Sequence, residues 1–274
     1  MVVDKASGMT SHDVVAKARK WLGTREIGHA GTLDPMATGV LVLAIGQATK
    51  LVPYLSASDK EYEATIALGA QTDTLDADGK ETSRAPIPPS WTASLEAALE
   101  EERRRTMQLP PIFSAIHAKG ARSHERARRG EVVELDERPV RVISLESTAT
   151  RDETFDVRLV VSKGYYVRAL ARDLAARLGT VGHLGALRRV RSGTFTLADA
   201  GATIPLVTAA TRVLPKATLT PAGVAHARAG RRVPLEDLGT TEAGEHAWLA
   251  PDGTLVAIGR IEDGSGKVTR GFHH

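Results

Sequence analysis

The chain has 274 residues, 42% of them hydrophobic and 25% charged, with a formal net charge of +3 and no cysteine. This length allows one large domain or a large and a small one, and the composition is that of an ordinary globular protein. The lack of cysteine excludes disulfides, thiolate catalysis and cysteine-ligated zinc, and no apolar run reaches the roughly 18 residues of a membrane helix. The first residues, MVVDKASGMTSHD, have no basic region followed by an apolar one. No secretory signal is expected at this end, and the cytoplasm is the expected compartment.

Near the N-terminus, Thr10 and Asp13 have the spacing of a capping box, and Val14, Val15, Ala18 and Leu22 recur at helical intervals until Gly23. Residues 39–46, GVLVLAIG, form a short apolar run between glycines, which predicts a strand buried on both faces. A helix over QATKLVPYL follows, limited by Pro53. In residues 60–69, Tyr62, Ala64, Ile66 and Leu68 alternate with more polar residues, so a half-buried strand with Tyr62 pointing inward is predicted. DTLDADG reads as a turn or loop, and Pro88 and Pro89 precede a helical stretch, TASLEAALEEERRR.

A second alternating strand places Phe155, Val157, Leu159 and Val161 on one face. The helix after it carries a stripe of Val167, Leu170, Ala171, Leu174 and Leu178, ends at Gly179, and sets Arg168 and Arg172 off that stripe. Past RSGTFTL the periodicity weakens. A boundary is expected near residue 215, then a helix capped by Thr220 with Pro221 in its first turn and Gly230 at its end. PDG between two apolar alternating runs predicts a hairpin, so the tail reads as a small, mainly β module.

Charge is unevenly spread. Residues 103–129 and 158–191 each hold eight Lys or Arg against one acid, which leaves the rest of the chain at −11. Two basic segments on an otherwise acidic chain suit a localised polyanion-binding surface if the fold brings them to one face.

Asp34 is the first candidate for chemistry. It lies in a loop leading into the predicted buried strand, beside His29 and several glycines that allow close approach. Arg168 complements it. In the first turn of a helix the macrodipole disfavours a cation by a few tenths of a kcal/mol, so Arg168 calls for a carboxylate or phosphate partner. DPMAT lacks the second acid of the phosphatase pattern D-x-D-x-T, since Met36 stands there. The chain also has no G-x-x-x-x-G-K-[ST], no H-E-x-x-H and no G-x-S-x-G, and its nine histidines do not cluster as ligands.

GHAGTLDPMATGVL resembles the catalytic motif of the TruB family, tRNA pseudouridine synthases acting on the T-loop uridine conventionally numbered 55. The likeness runs in order through VDKASGMTSHD, DKEYEATIALGAQTDTLDADG, LPPIFSAIHAKG, SKGYYVRALARDLAARLG and GHLGALRRVRSG, over about residues 2–197. It implies an α/β (α+β) pseudouridine synthase fold with a mixed, largely antiparallel sheet flanked by helices. Residues 1–214 would form the catalytic domain and residues 215–274 a small β-rich, PUA-like RNA-binding domain.

By matching position, Asp34 would be the catalytic aspartate, Tyr62 the tyrosine stacking on the uracil, and Arg168 the arginine paired with the aspartate. His29 resembles the residue that wedges into the T-loop, Leu187 an apolar residue of the pocket, and Lys5 a lysine supporting the site. Arg188 and Arg189, with Arg103, Arg104, Arg105, Arg126, Arg128, Arg129 and Arg191, are candidates for phosphate contacts.

The resemblance further implies a cofactor-free and metal-free isomerase that flips its target base out of the T-arm stem-loop of tRNA, acting as a monomer without guide RNA. The carboxylate could attack the base, attack the sugar, or remove a ribose proton. Arg168 is expected to keep it ionised near neutrality by countering desolvation. The other readings are a non-catalytic tRNA-folding chaperone and the catalytic subunit of a guide-RNA complex. The chain departs from the family pattern at Ala6, where proline is usual; at Phe113 and His117, where Tyr and Lys are common; and at Tyr165, where threonine is usual.

Overall fold

The computed structural model describes residues 1–113 and 135–273, and between them only the backbone of a short hairpin pairing His117–Ala118 with Ala121–Arg122. Arg126, Arg128 and Arg129 lie outside the described residues. No helix among the described residues is long and apolar enough to cross a membrane.

The main sheet contains β1 (Val2–Lys5), β2 (Ile27–His29), β3 (Thr38–Ile45), β4 (Lys60–Leu68), β5 (Val142–Thr150), β6 (Thr154–Val161) and β7 (Gly182–Ser192). Its order is β1-β3-β7-β4-β6-β5, with β2 also paired to β3. The β3–β7 pairing is parallel, whereas β1–β3, β7–β4, β4–β6 and β6–β5 are antiparallel. The sheet is therefore mixed and largely antiparallel, as expected.

Sequence pattern explains most of these elements. Helix α1 (Ser11–Leu22) starts at the predicted capping box, with Thr10 and Asp13 exchanging both hydrogen bonds, and stops at Gly23 in the left-handed conformation. In β3, Leu41 and Leu43 enter one apolar cluster while Val40 and Val42 enter another, so the strand is buried on both faces. QATKLVPYL splits into a 3-10 turn over Gly46–Leu51 and α2 (Val52–Ala57), because Pro53 is accommodated only in a first turn.

Helices α3 (Trp91–Arg103) and α4 (Val167–Arg177) pack on the Leu41/Leu43 side of the sheet. Leu170 and Leu174 of α4 are wholly buried there, each worth about 1.5–3 kcal/mol.

The weakly patterned region after residue 192 folds as α5 (Leu206–Val213), β8 (Lys216–Thr218) and α6 (Pro221–Arg228), followed by β9 (Gly244–Leu249), β10 (Leu255–Glu262) and β11 (Ser265–Gly271). Thr220 caps α6 by accepting from Gly223 N–H, and the predicted hairpin is the β9–β10 pair. β8 to β11 join Val233–Pro234 in a second, five-stranded sheet. One face of it, through Ala247, Leu249 and Ile258, packs in the same cluster as Val40, Val42 and Leu55. Trp248 and Ala257 pack with Ala227 of α6 on the other face.

Two strands of the main sheet escape the periodicity rules. β5 has an irregular register against β6, and β7 carries Arg188, Arg189 and Arg191. β7 is nonetheless central, because its arginines find acid or carbonyl partners.

Candidate active site

A cavity of about 970 Å³ opens on the α1/α3/α4 side of the sheet and is lined by Asp34, Tyr62, Arg168, Leu187 and His29 among others. Its floor follows from strand register. Leu187 stands opposite Ala64, and Arg189 opposite Tyr62, so Tyr62 and Leu187 share one face, 8% and 7% exposed.

Asp34 sits in the turn before β3, closed by Ala37 N–H donating to the Asp34 carbonyl at 3.1 Å. Two buried cations hold this loop by its carbonyls. Lys5 Nζ donates to Pro35 at 3.1 Å, Met9 at 2.7 Å and Ala6 at 3.0 Å. Arg189 donates to Val40 at 2.7 Å, Gly31 at 3.0 Å and Thr32 at 3.4 Å. Ser11 Oγ closes the α1 side, accepting from Leu33 N–H at 2.9 Å. Gly39 lets β7 come close: its φ is +102°, and a Cβ there would collide with the Arg189 carbonyl.

Arg168 lies behind Asp34. Its Nε stands 2.9 Å from Asp34 Oδ2, at ion-pair distance without hydrogen-bond alignment, and its Nη2 donates to Asp34 Oδ1 at 3.1 Å. Other bonds from the guanidinium reach the carbonyls of Thr74 at 2.8 Å and Phe113 at 3.0 Å. Arg168 is off the apolar stripe of α4, as the periodicity requires, yet it is buried because the loops of Asp34 and Thr74 cover it.

Asp76 is a site residue that the sequence reading missed. It is buried, with Oδ2 3.6 Å from Arg168 Nε and Oδ1 accepting from Thr74 Oγ1 at 2.6 Å. Its neighbour Leu75 adopts φ +62°, a left-handed conformation costing about 1–2 kcal/mol, and is held there by Leu184 N–H donating to its carbonyl. The signal was the acid-rich stretch DTLDADG, which otherwise reads as turn chemistry.

Asp34 is deep among protein atoms, yet its side chain is 31% exposed toward the cavity. Burial pushes its carboxyl above the ordinary value; Arg168 pulls it back and Asp76 pushes it up again. The net direction is upward, so Arg168 offsets desolvation only in part.

At the rim His29 meets His12 edge to face at 5.4 Å between ring centres. Burial, then His12 and Arg189, lower its pKa and favour the neutral ring. Lys60 Nζ donates to the carbonyls of Ser56 and Ser58 at the cationic end of the cavity, and burial pushes its ammonium down to about 8.

The structure separates the expected substrate contacts. Lys5 and Arg189 are each 1% exposed with their donors turned to carbonyls, so they brace the site and cannot meet a phosphate. Arg188 pairs with Asp4 at 2.7 Å on the surface, a weak bond that a phosphate can replace. Arg103 and Arg104 bond to Glu100, Arg105 to Glu102, and Arg191 to Glu61. Much of the basic charge seen along the sequence is thus neutralised, for Arg103, Arg104 and Arg105 by acids one helical turn away and for Arg188 and Arg191 by acids distant in sequence. A shallower recess of about 640 Å³ at the end of α1, lined by Arg19, Lys20, Gly23, Thr24 and Arg25, contains no acid. Among the described residues no cluster of three or more His, Asp or Glu has the arrangement of a metal site.

Comparison with known proteins shows the family. A family model described as the N-terminal domain of the TruB family pseudouridylate synthases matches residues 19–167. The tRNA pseudouridine synthase B of Paracoccus denitrificans is 41% identical over 288 residues, covering 100% of this chain and 95% of that protein. The protein of the same name from Thermobifida fusca is 41% identical, covering 97% and 95%. Among solved structures, a Cbf5–Nop10–Gar1 complex aligns with a TM-score of 0.73 at 25% identity, covering 99% of this chain and 84% of that one. An H/ACA RNP bound to a substrate RNA containing 2′-deoxyuridine aligns at 0.70 and 23% identity, covering 100% and 85%, a likeness of fold.

Proposed function

Since this chain belongs to the TruB family of pseudouridylate synthases, we propose that it converts the T-loop uridine of tRNA, position 55, to pseudouridine with Asp34 as the catalytic group. The observation that carries this reading is the Asp34 carboxylate, open to the cavity at its front and paired with buried Arg168 at its back. The tRNA relatives support the choice of substrate class.

The reaction breaks the bond from ribose C1′ to uracil N1, turns the base, and joins C1′ to C5. The C5 proton leaves and N1 gains one, so reactant and product are isomers. One carboxylate can serve by attacking the base, attacking the sugar, or taking a ribose proton, and the Asp34 environment suits each. Its loop is held by Lys5 and Arg189, so the carboxylate needs little rearrangement as the reaction proceeds.

Tyr62 and Leu187 offer a flat apolar floor to a uracil turned out of its stack, an extrusion costing a few kcal/mol. His29, neutral and at the rim, fills the space the base leaves. Arg188 meets a backbone phosphate. Residues 1–214 carry the reaction and residues 215–274 form a small RNA-binding module, a reading supported by the separate five-stranded sheet. The chain acts as a monomer in the cytoplasm, on bare tRNA without a guide RNA.

The test is tritium release from C5-labelled uridine in an unmodified tRNA transcript, with filter binding alongside, for the parent and Asp34→Ala. Product from the parent alone, with binding kept by both, is expected. Binding without product from either would replace this reading with a non-catalytic chaperone.

A further inference from the structure

Glu102, at the end of α3, is wholly buried although it lies in a run of acids and arginines that reads as a solvent face. Its carboxylate accepts from the Tyr165 hydroxyl at 2.8 Å and from Arg177 Nη1 at 2.8 Å, and stands 2.6 Å from Arg105 Nε. Arg105 reaches on to Asp173 at 3.0 Å. Two acids and two arginines thus close on one another with no net charge, and three of these groups (Asp173, Arg177 and the Tyr165 hydroxyl) belong to α4 or the residues just before it. Burial, then Glu102, raises the Tyr165 phenol well above its ordinary value, so it remains a donor.

The N-terminus of α4 needs such a hold. Its N-cap residue Tyr166 contributes no side-chain cap, and an uncapped first turn frays. Outside residues hold it instead. Gln108 accepts from Tyr166 N–H at 2.9 Å and donates to the Tyr166 carbonyl at 3.2 Å, while Glu102 holds Tyr165. Arg168 follows three residues after Tyr165, in the turn these bonds fix. A buried ion network of this kind is seldom a better stabiliser than apolar packing, but it is directional. Tyr165 also lines the cavity itself.

We propose that the buried Tyr165–Glu102 pair, locked by Arg105 and Arg177, is a positioning device that sets the start of α4 so that Arg168 meets Asp34. This deepens the proposed function and rests on Asp34 being the catalytic group. Tyr165 and Glu102 are positioning residues acting through Arg168. The family pattern usually has threonine at the tyrosine's position, so the device belongs to this chain's own sequence.

Tyr165→Phe tests it, because the ring stays and one hydroxyl goes. The variant should melt near the parent and bind tRNA equally, while kcat falls roughly tenfold with KM unchanged. The acid limb of the kcat profile should move to higher pH as the pull of Arg168 on Asp34 loosens. In an Arg168→Lys background the same change should add no further loss, because both act on one contact. A parental kcat, an unmoved acid limb, or losses that multiply in the double variant would overturn the proposal. Asp34→Ala is run in parallel: if it turns over, the site reading itself fails, whereas an inactive Asp34→Ala beside a full-rate Tyr165→Phe removes the positioning device alone.

Discussion

Replacing Arg168 with alanine removes the one cation at ion-pair distance from both Asp34 and Asp76 among the described residues. Breaking a buried ion pair from one side costs about 3–5 kcal/mol. Asp34 keeps partial access to solvent, so about 2–3 kcal/mol is the appropriate scale here. Expressed as lost transition-state stabilisation, that is roughly a 30- to 150-fold fall in kcat. The pH dependence has a definite sign. Burial and Asp76 raise the Asp34 pKa while Arg168 and, more weakly, Lys5 lower it, so the variant loses the main lowering cause and less of the carboxylate is ionised at any given pH. The acid limb of kcat must therefore move to higher pH. Single-turnover tritium release across the acid-to-neutral range measures both effects, and filter binding checks that tRNA affinity holds. A variant with the parental rate and an unmoved acid limb would refute the reasoning.

Lys5→Met leaves the carbonyls of Ala6, Met9 and Pro35 without their buried donor. The expected loss is about 2–4 kcal/mol of unfolding free energy in urea, with kcat reduced and tRNA affinity kept; weakened affinity at full kcat would instead place Lys5 on the substrate. Lys60 should carry its charge below a pKa of about 8 and lose it above. RNA affinity is then expected to decline as pH rises through that value, and Lys60→Met should flatten the profile; a decline of equal size in the variant would show that another group is responsible.

The features legible in the sequence are those whose partners lie nearby in the chain. The Thr10–Asp13 capping box, the Gly23 stop, the Thr220 cap and the alternation of β4 and β6 each depend on residues a few positions apart, and the fold retains all of them. Asp34 was visible too, because its loop, its motif and the strand behind it are contiguous. What only the tertiary structure decided are pairings across long separations. Arg168 meets Asp34 across 134 positions and Arg189 holds Gly31 across 158, contacts that exist because β7 runs between β3 and β4. The same cause hid β7, whose arginines read as phosphate contacts until Asp4, Glu61 and the carbonyls of the Asp34 loop come to meet them. It also hid Asp76 and Glu102, two acids that look like turn and surface residues. A local hydrogen bond needs only its neighbours, whereas a buried charge is tolerable only where the sheet order and helix packing bring its counter-charge.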